Sequence, residues 1–334
     1  MTIILPMHSP IITSYPKHAN VNSILVNHSC YETWLYNNHI QLHADYDDSH
    51  TLWLCFYEPV SRRLYPLIDT ETFSKGTVIN NRIDLIQLIM NSIATGSYVY
   101  LSIDVYYLAP YEVYQRTHFP HDMFIFGYDE HKGVFHAADF YQKGRYAHHE
   151  IPFTQVEQGF YSSYSDDNAD FQGLQLLRVS SDEKGQYTFD ADYCFELLAE
   201  YLHGIDTSRH YKLIKDVNKR YIFGMPIYDM LAEYVMESKE SFEVARSLHI
   251  VYDHKNLMAR RVHYLWKEGH IRDYSFIQQF NEVARQAAMI RNKYLKLQMI
   301  QVTDYGLKGI ERDIKQLRNR EECLTASLIL NYNA

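Results

Sequence analysis

With 334 residues, 46% of them hydrophobic, the chain can bury one large core or two ordinary ones. A formal net charge of −9 excludes a phosphate backbone as its main partner, because affinity for nucleic acid rests on concentrated Lys and Arg. The cysteines, Cys30, Cys55, Cys194 and Cys323, form no C-x-x-C pair, which speaks against a disulfide framework or a thiolate zinc site and for a reducing, cytoplasmic setting.

The first residues lack an early Lys or Arg and are interrupted by Pro6, His8 and Pro10, unlike a secretory signal. No run approaches the roughly 18 apolar residues of a spanning helix, so no membrane role is expected. Cys30 follows Asn27-His28-Ser29 and precedes a helix-like segment at 31–40. The stretch 43–50 offers His43, Asp45, Asp47 and His50, but its compactness reads as a solvated polar turn rather than a metal site. Residues 52–57 and 63–68 read as strands. Asn81 is placed to cap a helix over 82–90 that Gly96 closes. Residues 98–104 are a continuous apolar run ending in Asp104, the pattern of a central strand covered on both faces.

The next segment carries the chemistry. Residues 121–129, His121-Asp122-Met123-Phe124-Ile125-Phe126-Gly127-Tyr128-Asp129, and residues 134–139, Val134-Phe135-His136-Ala137-Ala138-Asp139, flank a short polar turn and predict a β-hairpin. Its first strand opens on a histidine and its second closes on an aspartate, so the two polar ends meet at one sheet edge. Strand alternation turns Asp122 to the opposite face from His121, leaving Asp139 as the better orienting carboxylate. A helix over 153–160, a polar loop over 162–170 and a last strand over 174–179 follow.

Residues 180–186 are polar and form the expected linker, dividing the chain into 1–182 and 187–334. Beyond it the pattern is helical, with Asp190 as a cap and Gly204 as a stop, then runs at 227–236, 241–266, 274–301 and 307–330. The basic stretch from His254 and Lys255 through Arg260, Arg261 and Lys267 reads as a solvated helix face or a docking surface for an acidic partner. Motifs for P-loop, dinucleotide, serine-hydrolase and zincin chemistry are absent from the sequence, His148-His149-Glu150 lacking the H-E-x-x-H spacing.

Over 98–160 the chain resembles the papain-like cysteine peptidases that remove double-glycine leaders. It looks still more like the BtrH-type acyltransferases of the butirosin pathway. The residues that carry the likeness are the His121-to-Gly127-Tyr128-Asp129 strand, the strand ending in Asp139, and Ile151-Pro152-Phe153-Thr154. The resemblance implies an α+β fold, a papain-like domain of helices and antiparallel sheet, followed by an all-helical bundle. It also implies Cys30 as nucleophile, His121 as base and Asp139 as orienter. Asn27, Asp104 and Tyr128 are the substrate-binding candidates, Asp104 reading either as a carboxylate for a substrate amine or, the reading favoured, as a cap on the loop that follows its strand. The family's oxyanion-hole glutamine has no counterpart, the nearest amides being Asn22 and Asn27.

The function these readings favour is acyl transfer in antibiotic or peptide biosynthesis, from a carrier-protein thioester to a small-molecule amine, with no metal or other cofactor. The alternatives are a cysteine peptidase or thioester hydrolase, and a noncatalytic protein that holds a peptide or carrier protein. A homodimer is compatible with all three.

Overall fold

A computed structural model describes residues 1–47, 49–58, 64–141, 144–167, 172–181, 187–211, 221–239 and 241–332. In chain order the elements are β1 (Thr2–Ile4), α1 (Pro16–Leu25), α2 (Tyr31–Asn37), β2 (Leu42–Tyr46), β3 (Leu52–Phe56), β4 (Ile68–Phe73), α3 (Lys75–Asn80), α4 (Leu85–Ala94) and β5 (Tyr98–Asp104). They continue with β6 (Pro120–Asp129), β7 (Val134–Phe140), β8 (Tyr146–Pro152), α5 (Phe153–Tyr161), β9 (Leu174–Val179), α6 (Ala191–His203), β10 (Ile222–Phe223), α7 (Ile227–Glu237), α8 (Phe242–Lys267), α9 (Ser275–Ile300) and α10 (Asp304–Tyr332). The architecture is α+β, with antiparallel sheets and a helical C-terminal region.

The chain forms two compact units, Met1–Tyr31 with Val60–Gln186, and Glu32–Pro59 with Tyr187–Ala334. This departs from a single cut at 182–187. Residues 32–59 join the helical unit because β2 pairs with both β3 and β10, and β3 packs on α8. Residues 182–186 of the expected linker lie outside the described residues.

In the first unit a sheet runs β4-β9-β5-β6-β7-β8, and β1 continues alongside β6 where β5 ends. Strand β5 is buried throughout, as its apolar run requires, and packs with α4 and α5 around Leu101, Ile103, Met123, Ile125, Val156 and Phe160. The strand expected at 63–68 begins instead at Ile68, and residue 63 lies outside the described residues. Asn81 closes α3 rather than opening a helix, its Nδ2 donating to the Thr77 carbonyl at 2.9 Å. The following helix starts at Leu85, where Asp84 accepts the Gln87 N–H at 3.0 Å and satisfies an end donor. Helix α1 has no signature in the sequence. His18, Asn20, Asn22 and Ser23 are buried with its apolar residues, so it lacks the polar face that marks an amphipathic helix.

Gly127 has a steric reason. A Cβ there would lie 2.7 Å from the Ile3 carbonyl and 3.3 Å from the His136 ring, where β1 meets the irregular β6–β7 register. Gly127→Ala is expected to loosen β1 and raise hydrogen exchange at the Leu5 amide, which bonds to the Phe126 carbonyl, while leaving amides of β5 protected. Unchanged exchange at Leu5 would show that the sheet absorbs the methyl.

In the second unit, Asp190 accepts the Tyr193 N–H at 2.9 Å, and Gly204 ends α6 at φ 64°, as the caps predict. The basic stretch of α8 is a correction. Asp253, His254, Lys255 and Arg261 are all buried, and only the intervening and flanking charges face water. Arg261 donates to the Tyr36 carbonyl at 2.9 Å and the Asn38 carbonyl at 2.7 Å, satisfying acceptors at the end of α2.

Candidate functional site

The hairpin brings together the pair that the sequence proposes. His121 Nε2 lies 3.2 Å from Asp139 Oδ2, with the imidazole one-quarter exposed and the carboxylate fully buried. Asp139 accepts two hydrogen bonds: the Tyr111 hydroxyl bonds to Oδ2, and the Phe140 N–H to Oδ1 at 2.7 Å. Burial, reinforced by the neighbouring charge of Asp139, pushes the Tyr111 hydroxyl well above the usual phenol range, so it stays a donor. The rings of Tyr111 and Phe119 stand 5.8 and 5.9 Å from the His121 ring, the first edge-on. Asp122 faces the other way, as alternation requires, and accepts the Tyr100 hydroxyl.

Among the described residues no hydrogen bond joins the Cys30 thiol to this pair. It is 5% exposed, lies between α1 and α2, and donates its N–H to His28 Nδ1 at 3.1 Å. Among the described residues its thiol's hydrogen-bond neighbour is Ser29 Oγ at 3.8 Å. Asn20, in α1, accepts the Tyr146 hydroxyl at 2.7 Å beside the end of β7, and the Ser23 carbonyl accepts the His8 N–H at 3.0 Å.

The remaining candidates also move. Asn22 is occupied, donating to the His18 carbonyl at 2.8 Å and accepting the Tyr31 hydroxyl at 2.6 Å. Asn27 is exposed, with its amide 2.7 Å from His8 Nε2. Tyr128 is a core side chain packed opposite Phe135, which removes it from any binding surface.

Asp104 is buried and caps the turn after β5, the favoured of its two expected roles. It accepts His118 Nδ1–H at 2.6 Å, the Ser162 hydroxyl at 2.7 Å, and the N–H groups of Tyr106 and Phe119 at 3.1 Å. Burial raises its pKa, but these donors outweigh burial and hold the carboxyl below its usual range. His118 is stacked between Tyr106 and Tyr164, at 4.1 and 4.2 Å. The β5–β6 register pairs Ile103 with His121 and Asp104 with Pro120, so the two imidazole–carboxylate pairs belong to opposite faces of one sheet end. Sequence reading missed His118 and Tyr111. The one signal for His118 was its place three residues before His121, and Tyr111 sits in a turn without periodicity.

A depressed carboxylate stabilises the fold above its unfolded pKa of about 3.9, and that stability is lost as pH falls through the lower folded value. Asp104→Asn is therefore expected to be less stable than the parent near neutrality, with the gap closing in acid. Urea unfolding across a pH series reads this directly. A pH-independent gap would mean that shape, not charge, is what Asp104 contributes.

His43 lies in β2 rather than in a turn, its ring against Tyr221 at 4.5 Å. Glu196, Glu200 and His210 can place one ligand atom each within 4.8 Å of one another. The Arg209 guanidinium nevertheless bonds to Glu200 Oε1 at 2.6 Å, so a divalent ion would have to displace a matched cation. No described helix is long and apolar enough to cross a membrane. The sequence matches no family profile and no curated protein.

Proposed function

We propose that the first unit is a papain-like acyl-transfer domain of specialised-metabolite biosynthesis, with His121 as general base, moving an acyl group from a carrier-protein thioester to an amine. The observation that carries this reading is the His121–Asp139 pair, backed by Tyr111 on the same carboxylate oxygen. With Nε2–H donated to Asp139, Nδ1 becomes the basic nitrogen of the ring. The amine attacks the thioester carbon and its proton passes to Nδ1. The tetrahedral intermediate then expels the thiolate, which takes that proton, giving amide and free thiol.

This route has no acyl-enzyme. It fits the placement of Cys30 beside Ser29, and the same placement favours the second reading, a noncatalytic protein that binds a peptide or carrier protein. The test offers the full chain an S-acyl-N-acetylcysteamine thioester and a primary amine, and follows product and intact-protein mass. Amide formation that survives Cys30→Ala and is lost in His121→Gln is the expected result. Acyl mass on Cys30, lost together with turnover in Cys30→Ala, would restore the covalent route, and release of free acid would make the enzyme a hydrolase. No turnover would leave the binding reading.

A further inference from the structure

The second imidazole–carboxylate pair at this sheet end is the more tightly built of the two. His118 Nδ1 lies 2.6 Å from Asp104 Oδ2, the carboxylate fully buried and the imidazole one-third exposed. An ionised carboxylate only accepts, so the ring proton sits on Nδ1 and the lone pair on Nε2. Among the described residues nothing bonds to Nε2, and that nitrogen is open to solvent.

The ring is held in one orientation. Tyr106 and Tyr164 cover its two faces at 4.1 and 4.2 Å, with interplanar angles of 22° and 7°. Asp104 Oδ1 accepts the N–H groups of Tyr106 and Phe119, so the carboxylate that orients the imidazole also fixes the backbone beside both stacked residues. Lys75 anchors the segment that carries Tyr164, its Nζ donating to the Ser162 carbonyl at 2.7 Å and to the Ser165 hydroxyl at 3.0 Å. The hydroxyls of Tyr106 and Tyr164 have no partner among the described residues and are also open to solvent, which leaves them free to donate to a developing oxyanion.

The neighbours limit what such a base can act on. Among the described residues no lysine or arginine bonds to His118 or Asp104, so the pair has nothing to neutralise a phosphate or carboxylate substrate. A single imidazole is too small a donor set for a metal site. What remains is proton removal from a neutral nucleophile. With no cation to assist departure, the leaving group must be a good one.

We propose that His118 is a second general base of the first unit, activating water against small neutral esters that carry a phenol or thiol leaving group. Water attacks the ester carbonyl carbon as its proton passes to Nε2, and Asp104 offsets the imidazolium charge. The tetrahedral intermediate expels the phenolate or thiolate, which takes the proton from Nε2, and the carboxylic acid is released. The proposal does not rest on the acyl transfer assigned to His121.

The experiment offers the full chain p-nitrophenyl acetate and follows nitrophenolate release across a pH series. Expected is a steady rate that rises as the imidazole loses its proton, exceeds that of free imidazole at the same concentration by about 10²-fold, and falls to near that reference in His118→Gln. His131→Gln, on the exposed β6–β7 turn, should leave the rate unchanged. Because His118→Gln removes the centre of the stack, its melting temperature is read alongside. Diethyl pyrocarbonate labelling of the unaltered protein, mapped by mass spectrometry, needs no variant, and His118 should be modified at least as fast as His131. A His118 that does not label, a rate no greater than that of free imidazole, a rate that survives His118→Gln, or one lost only in His121→Gln overturns the proposal. So does a burst of nitrophenolate that leaves acetyl on a cysteine, which would assign the hydrolysis to a thiol.

Discussion

Glu321→Leu is expected to cost the fold about 3–5 kcal/mol, because it strands a charged lysine in the interior of the helical unit. Lys255 and Glu321 are both fully buried, with Nζ 2.5 Å from Oε1. Lys255 also donates to the Tyr201 hydroxyl and to His254 Nδ1, each at 2.7 Å, and the Tyr228 hydroxyl donates to Glu321 Oε2 at 2.6 Å. His254 completes the arrangement by donating Nε2–H to the Ile40 carbonyl at 2.7 Å. Burial, and then the adjacent ammonium, hold His254 well below its usual range, so it stays a neutral imidazole that can accept from lysine. Four helices, α6, α7, α8 and α10, contribute side chains to this network.

The pair is less valuable than the cost of breaking it suggests. Lys255→Met with Glu321→Leu is expected to recover most of the loss, since neither charge is then left alone. Adding Tyr228→Phe recovers part of the remainder, because the Tyr228 hydroxyl loses its acceptor, at a cost of about 1–3 kcal/mol, while the Tyr201 hydroxyl, which donates to Glu321 at 3.2 Å, still lacks its partners. Burial pushes Lys255 down to about 8, against the opposing pull of Glu321. The unfolded chain, with a lysine pKa of about 10.4, then binds more protons between those values. The stability of the parent relative to Lys255→Met should accordingly rise with pH across that window. Urea unfolding of the single, double and triple variants measures both effects. A double variant as unstable as the worse single one would refute the stranded-charge account.

What the sequence could reveal depended on where the physical signal lay. The long C-terminal helices are legible because their apolar stripes repeat with the helix period and their ends carry local caps, as at Asp190 and Gly204. The hairpin is legible through its alternation, which also puts His121 and Asp139 at one edge. Helix α1 is not legible, because polar side chains buried by tertiary contacts erase its stripe. Lys255 and Arg261 mislead for the same reason: they read as solvent-facing until partners distant in sequence, Glu321 and the carbonyls of 36 and 38, are known. Cys30 shows the limit at the site. Its position before a helix is a local property, whereas whether its thiol meets His121 is a tertiary one, which no spacing rule encodes.

Asp139→Asn is expected to lower acyl-transfer turnover by about 10²–10⁴-fold if His121 is the base. In many settings asparagine can orient an imidazole, its carbonyl accepting the ring N–H. Here the carboxylate accepts the Tyr111 hydroxyl on Oδ2 and the Phe140 N–H on Oδ1, and the His121 ring nitrogen lies 3.2 Å from Oδ2. An amide has one accepting oxygen. If that oxygen faces His121 and Tyr111, the NH₂ opposes the Phe140 N–H. If it faces Phe140, the NH₂ opposes His121 and Tyr111 and drives the imidazole to the tautomer with its proton on Nδ1, which cannot accept from an amine. Tyr111→Phe removes one donor and leaves the carboxylate acceptor intact, so its turnover should stay within about tenfold of the parent's. Measured together with melting temperature, the contrast separates orientation of His121 from loss of fold. Near-parent turnover in a well-folded Asp139→Asn protein would make the pair a structural lock and remove the main support for general-base chemistry at this edge.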